Sequence, residues 1–122
     1  MAAPNLVNVT SILGKSVGAA LGTNADTAIL TCASNKVLKI NSVIVANVDG
    51  TNSANLTVKF HDSSASTNYR LASTVAIPAD STLVVIGKDS PIYLEENDQL
   101  EARADVASDA ELVVSYEILD DA

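Results

Sequence analysis

From about residue 27 onward the chain repeats one theme: short runs in which apolar, mostly β-branched residues alternate with polar ones, broken about every 8 to 12 residues by Gly, Pro, Asn, Asp or Ser. Helical periodicity is almost absent. Asn5 to Leu13 reads as a first strand, with Leu6, Val9 and Leu13 among polar neighbours. Gly14 to Asn24 reads as a loop or one frayed helical turn. Its glycines, Gly14, Gly18 and Gly22, have the spacing of packed membrane helices, but Lys15, Ser16 and Thr23 interrupt any apolar segment.

Asp26 to Ala33 gives a second strand and Val37 to Val48 a third, the longest. Strict alternation along the third puts Leu38, Ile40, Ile44, Ala46 and Val48 on one face. Lys39, Asn41 and Asn47 share the other face with Val37, Val43 and Val45. The apolar pair Val43 and Val45 on this otherwise polar face predicts a central strand covered on both sides, or one covered by a partner. Both residues are therefore interface candidates. Asp49-Gly50 then signals a hairpin, and Leu56, Val58 and Phe60 alternate with Thr57, Lys59 and His61.

Later runs around Tyr69 to Ile77, Leu83 to Ile86, Ile92 to Leu94, Leu100 to Val106 and Leu112 to Ile118 bring the total to about nine strands, enough for two packed antiparallel sheets. The expected fold is all-β: a jelly-roll-like antiparallel β-sandwich, with residues 1–122 as one domain and 1–9 as a possible N-terminal arm. The expected core is Leu38, Ile40, Ile44, Leu56, Val58, Phe60, Leu71, Leu100, Leu112, Val114 and Tyr116.

Composition narrows what such a sandwich does. Hydrophobic residues make up 48% of the chain, yet it has three Tyr, one Phe and no Trp. The core is therefore aliphatic and modest, and burial against other subunits is favoured. A formal charge of −8 with scattered cations argues against nucleic acid, which needs clustered Lys and Arg. It also argues against an anionic membrane surface. The one cysteine, Cys32, excludes an intrachain disulfide and a thiolate metal cluster, and reads as a small core residue. The N-terminal sequence lacks the basic and continuous apolar regions of a signal peptide, so the expected product is soluble and made in the cytoplasm.

Candidate chemistry is sparse. His61 is the single histidine, and its neighbour Asp62 points to the opposite face of a strand. No G-x-S-x-G elbow, phosphate loop or metal-spaced Cys/His set occurs. The acids Glu95, Glu96 and Asp98, and Glu117, Asp120 and Asp121, read as solvated turn or strand-end acids. We expect no enzyme activity, no cofactor and no metal.

The stretch LTCASNKVLKINSVIVANVDG (30–50), followed by ANLTVKF (54–60), resembles a pattern of virion structural proteins of tailed bacteriophages. In that pattern a strand, a short turn, a long β-branched strand and a small-residue hairpin lead into a further strand. VAIPADSTL (75–83) and PIYLEENDQL (91–100) also fit, and the resemblance spans residues 27 to 119. Asp80 and Asn97 stand where the pattern more often has Gly, and both residue types tolerate turn conformations.

The resemblance is closest to small structural proteins of phages of cyanobacteria and other aquatic bacteria. It implies a capsid decoration or cement protein that binds the outer surface of the assembled head and bridges major capsid subunits. The alternatives are a neck, tail or baseplate component and, from another class, a carbohydrate-binding adhesin, against which the missing Trp counts. A homotrimer is expected. The uncharged N-terminus, with Pro4, Leu6, Val7 and Val9, either adds a strand to another protein's sheet or forms the first strand of its own sandwich.

Overall fold

A computed structural model describes residues 9–22 and 25–120. Its strands are β1 (Ser11–Ala20), β2 (Thr27–Thr31), β3 (Lys36–Asn47), β4 (Ala54–Asp62), β5 (Thr67–Ile77), β6 (Thr82–Ile86), β7 (Ile92–Leu94), β8 (Gln99–Ala104) and β9 (Ala110–Asp120). One sheet runs β1-β9-β3-β6, with β7 also on β3, and the other runs β2-β8-β4-β5. Every pairing is antiparallel. Consecutive strands alternate between the sheets from β1 through β4, and β8 and β9 insert between earlier neighbours. This is the jelly-roll arrangement of two interleaved Greek keys.

Between the sheets lies one continuous core. Leu38, Ile40, Val43, Val45, Leu112 and Val114 come from the first sheet, and Leu56, Val58, Leu100 and Ala102 from the second. Cys32 joins them, fully buried, with its thiol against the carbonyl of Lys36 at 3.1 Å. Burial pushes this thiol's pKa up.

Three expectations need correction. The segment from Gly14, read as a loop or helical turn, is the greater part of β1, paired residue for residue with β9 from Ser11–Asp120 to Ala20–Glu111. The glycines weaken a strand but do not forbid it, and ten consecutive partners hold it. Of the expected first strand, residues 5–8 lie outside the described residues.

The second correction concerns β3. Val43 and Val45 are fully buried at 0% exposure, whereas Ile44, expected in the core, is 38% exposed on the outer face. The cause is a bulge between Ile40 and Ser42, where Asn41 has no partner on β9. One extra residue flips every later side chain to the other face. Lys39 therefore faces out before the bulge, while Val43 and Val45 face in after it.

Leu71 is the third case. It too was expected in the core, yet it is exposed, because β5 is irregular opposite Leu56–Lys59 and Leu71 falls between the paired Arg70 and Ala72. Phe60 and Tyr116 are only partly buried, packed against the edge of the core.

Candidate interaction surface

The polar groups singled out in the sequence are mostly engaged in holding turns. Asp98 is buried, and its two carboxylate oxygens accept from the amides of Ser63 at 2.9 Å and Glu95 at 3.0 Å. It thereby ties two turns together and is not a solvated acid as expected. Glu96 turns away from it to accept from the Asn35 amide at 2.9 Å. Asp62 accepts from the amides of Ser64 and Ala65, while His61 Nδ1 lies 2.5 Å from Asn68 Oδ1. The adjacent His and Asp thus serve different contacts. Glu117 lies 4.0 Å from Lys39, and Asp120 is ion-paired with Lys36. Asp121 lies outside the described residues. Among the described residues no three His, Cys, Asp or Glu side chains gather in a way that could hold a metal.

On the outer face of the second sheet, Lys59 is nearly buried and reaches Asp26 at 2.6 Å, with Arg103 Nε 3.7 Å from the carboxylate's other oxygen. A lysine points outward here yet is nearly buried, paired with Asp26 in the short segment directly before β2. The contact fastens that segment to the sheet.

The outer face of the five-stranded sheet is different in character. Cross-strand pairing sets Gly18, Val113, Ile44 and Val84 in one row across β1, β9, β3 and β6, and the three large side chains are exposed. Another row is Ser16, Ser115 and Ser42, with the Ser16 and Ser115 hydroxyls 3.1 Å apart. A third is Ile12, Leu119 and Val37, of which only Ile12 is exposed, Leu119 and Val37 being buried. The charges on this face are Glu111, Glu117 and Lys39, the last two facing each other. Small hydroxyls and aliphatic side chains desolvate at little cost, so a molecule of net charge −8 presents one broad, almost uncharged face.

At the far edge of this sheet a second feature opens between the two layers. Phe60, Tyr69 and Leu71 from β4 and β5 meet Ile92 and Tyr93 from β7 around a cleft of about 150 Å³. It collects three of the chain's four aromatic residues. In the sequence Phe60 and Leu71 read as core positions and Tyr69, Ile92 and Tyr93 only as members of separate strands; the irregular β5, facing a short β7, gathers them at one opening. Of the interface candidates, Val43 and Val45 are in the core, Val9 is half-buried just before β1, and Pro4, Leu6 and Val7 lie outside the described residues.

The chain matches no family model and no curated protein. Among solved structures it is similar to a pentameric capsid protein isolated from metagenomic phage sequences, at 16% identity over 97% of this chain and 68% of that one, TM-score 0.33. A second such pentameric capsid protein gives 17% identity over 98% and 66% of the two chains, TM-score 0.35. A Clostridium thermocellum endo-1,4-beta-D-xylanase complexed with xylohexaose gives 14% identity over 93% and 26%, TM-score 0.30.

Proposed function

We propose that this protein is a virion structural subunit of a tailed phage: a decoration or cement protein that assembles as a homotrimer on the outside of the head and bridges major capsid subunits. The observation that carries the reading is the nearly uncharged outer face of the five-stranded sheet, with its exposed Val113, Ile44 and Val84 row, on a strongly acidic chain. Exposed apolar surface of this kind marks a contact with another protein. Acidic residues elsewhere suit the outer side of a shell, away from packaged DNA.

The sequence resemblance adds support at specific positions. Asp80 and Asn97, which replace the pattern's glycines, both have positive φ, 59° and 69°. The turns that glycine would make are therefore made here too. Jelly rolls also recur in viral capsid and lectin domains, which agrees with the reading without selecting it.

A protein that binds only the assembled shell stabilises it by mass action. Copy number in purified particles tests this: a stoichiometry near that of the major capsid protein supports the cement role, and a handful of copies per particle assigns the protein to the neck, tail or baseplate instead. The adhesin reading would place a sugar against Tyr69 and Tyr93, but a cleft of about 150 Å³ matches a single benzene-sized group, not a sugar chain.

A further inference from the structure

We infer that copies of this chain join head to tail, with the N-terminal half of β1 from one copy lying along β7 of the next and its Leu13 entering the aromatic cleft. The inference deepens the homo-oligomer of the proposed function by naming the contact, and rests on that part of it alone.

The knob comes first. Ile12 and Leu13 are adjacent, on opposite faces of β1, and 64% and 51% exposed. Leu13 shares a cross-strand row with Ile118, Leu38 and Leu94, and Leu38 and Leu94 are buried. The row thus starts inside the core and emerges into solvent at β1. Among the described residues β1 is hydrogen-bonded to β9 only, so its other edge offers backbone donors and acceptors for strand addition.

The socket lies at the other end of the same rows. Ile92 and Leu94 of β7 close the rows that Lys15 and Leu13 begin, with β9 and β3 between. Three strand spacings, about 14 Å, separate β1 from β7, so a copy does not fill its own cleft with its own β1. Direction agrees as well. Each neighbour in the series β1, β9, β3, β7 is antiparallel to the last, so β1 of a second copy set beside β7 in the same orientation is antiparallel to it and continues the sheet. Rows continued unchanged would set Leu13 of the second copy level with the buried Leu94 and Lys15 level with Ile92. A slip of two residues keeps every side chain on its face and brings Leu13 level with Ile92, on the inner side where Phe60, Tyr69 and Leu71 complete the cleft. A space of this size accepts one branched aliphatic side chain.

Charge favours the same pairing. The N-terminal half of β1 carries Lys15 and no acid, and β7 is flanked by Lys88 and Asp89 before it and by Glu95 and Glu96 after it, a surround with a net excess of acid. A contact between two different patches of one chain is heterologous and builds a closed ring when its rotation closes, as a trimer requires.

Mixing two variants tests the contact. Leu13→Asp removes the knob and Leu71→Asp blocks the socket; Tyr69→Asp is the substitute if Leu71→Asp lowers the melting temperature. Mass is read by sedimentation or light scattering, with circular dichroism confirming folding. The wild type is expected to be oligomeric, and each variant alone monomeric, its dissociation constant raised about thirty-fold or more. An equimolar mixture is expected to form a one-to-one heterodimer, because the intact knob of one variant meets the intact socket of the other. A monomeric wild type, a variant that keeps the wild-type mass, or a mixture that stays monomeric overturns the inference. The two proposals fail separately: low copy number in the virion removes the cement role and leaves this contact, while an unchanged mass for Leu13→Asp removes the contact and leaves the role.

Discussion

A left-handed backbone costs an ordinary side chain about 1–2 kcal/mol, and asparagine and aspartate less, because their short polar side chains hydrogen-bond locally. Asn97 sits in the turn before β8 with φ 69° and an exposed side chain, so backbone conformation decides what the position accepts. Asn97→Ala is expected to lower unfolding stability by about 1 kcal/mol, and Asn97→Gly to recover it, as read from urea midpoints. An alanine variant as stable as the wild type would remove this account of the turn. Protonation gives a second test nearby. Amides of Thr51 and Asn52 hold the Asp49 carboxyl below its ordinary value, whereas burial, aided by Asp49 beside it, pushes that of Asp109 up. The signs are opposite. Asp49 contributes stability that is present above the ordinary carboxylate range and lost as pH falls through its lowered value. Asp109 withholds stability at neutral pH and returns it as pH falls through its raised value. Asp109→Asn is therefore expected to stabilise at pH 7 and Asp49→Asn to destabilise, with both differences shrinking toward about pH 3; equilibrium unfolding at the two pH values measures them.

At the scale of the strand, the bulge at Asn41 decides which side chains of the second half of β3 face the core. Ile40, fully buried, is expected to cost about 2–5 kcal/mol when changed to Ala, while the chemically identical Ile44→Ala costs under about 1 kcal/mol, since its side chain is on the outer face. Deleting Asn41 removes the extra residue and leaves Ile40–Tyr116, Ser42–Ser115 and Val43–Val114 as consecutive pairs, so Val43 and Val45 stay in and Ile44 out. Cooperative unfolding is expected to survive that deletion, whereas deleting Ser115 from the partner strand is expected to abolish it. Equal costs for the two isoleucines would mean that the strand runs without the bulge. The same residue explains the limit of sequence reading. Alternation marked β3, β8 and β9 well, because each has one covered face and one more open face, and β4 because its outward Thr57 and Lys59 are polar although buried; it also detected the anomaly at Val43 and Val45. It did not reveal the cause, because a bulge has no composition of its own and Asn41 looks like any polar outward residue. β1 was hidden for a different reason: its first half is exposed on both faces, so no alternation marks it, and Gly14, Gly18 and Lys15 resemble a turn. The cleft was legible only as its parts, since Leu71 reaches it through an irregularity in β5 that only the pairing with β4 shows.

At the scale of the whole molecule two terms compete whenever copies meet. Net charge of −8 repels, and the apolar contacts of Leu13, the aromatic cleft and the Val113 row attract without regard to ionic strength. The range of the repulsion is set by salt: the screening length is about 30 Å at 0.01 M and about 8 Å at 0.15 M. For a domain of this length the radius of gyration is about 14 Å. At low salt every acid on one copy therefore feels those on its neighbour, whereas at physiological salt only charges at the contact do. The inferred contact sets Lys15 toward Asp89, a small attractive term that salt weakens. Because it involves one cation against a whole-molecule excess of eight negative charges, repulsion dominates the balance. Self-association is therefore expected to tighten as salt rises from about 0.01 M to about 0.15 M and then to level off, measured as the dissociation constant by sedimentation across a salt series. Association that weakens steadily with salt would mean that opposite charges hold the copies together and that the apolar rows are not the contact.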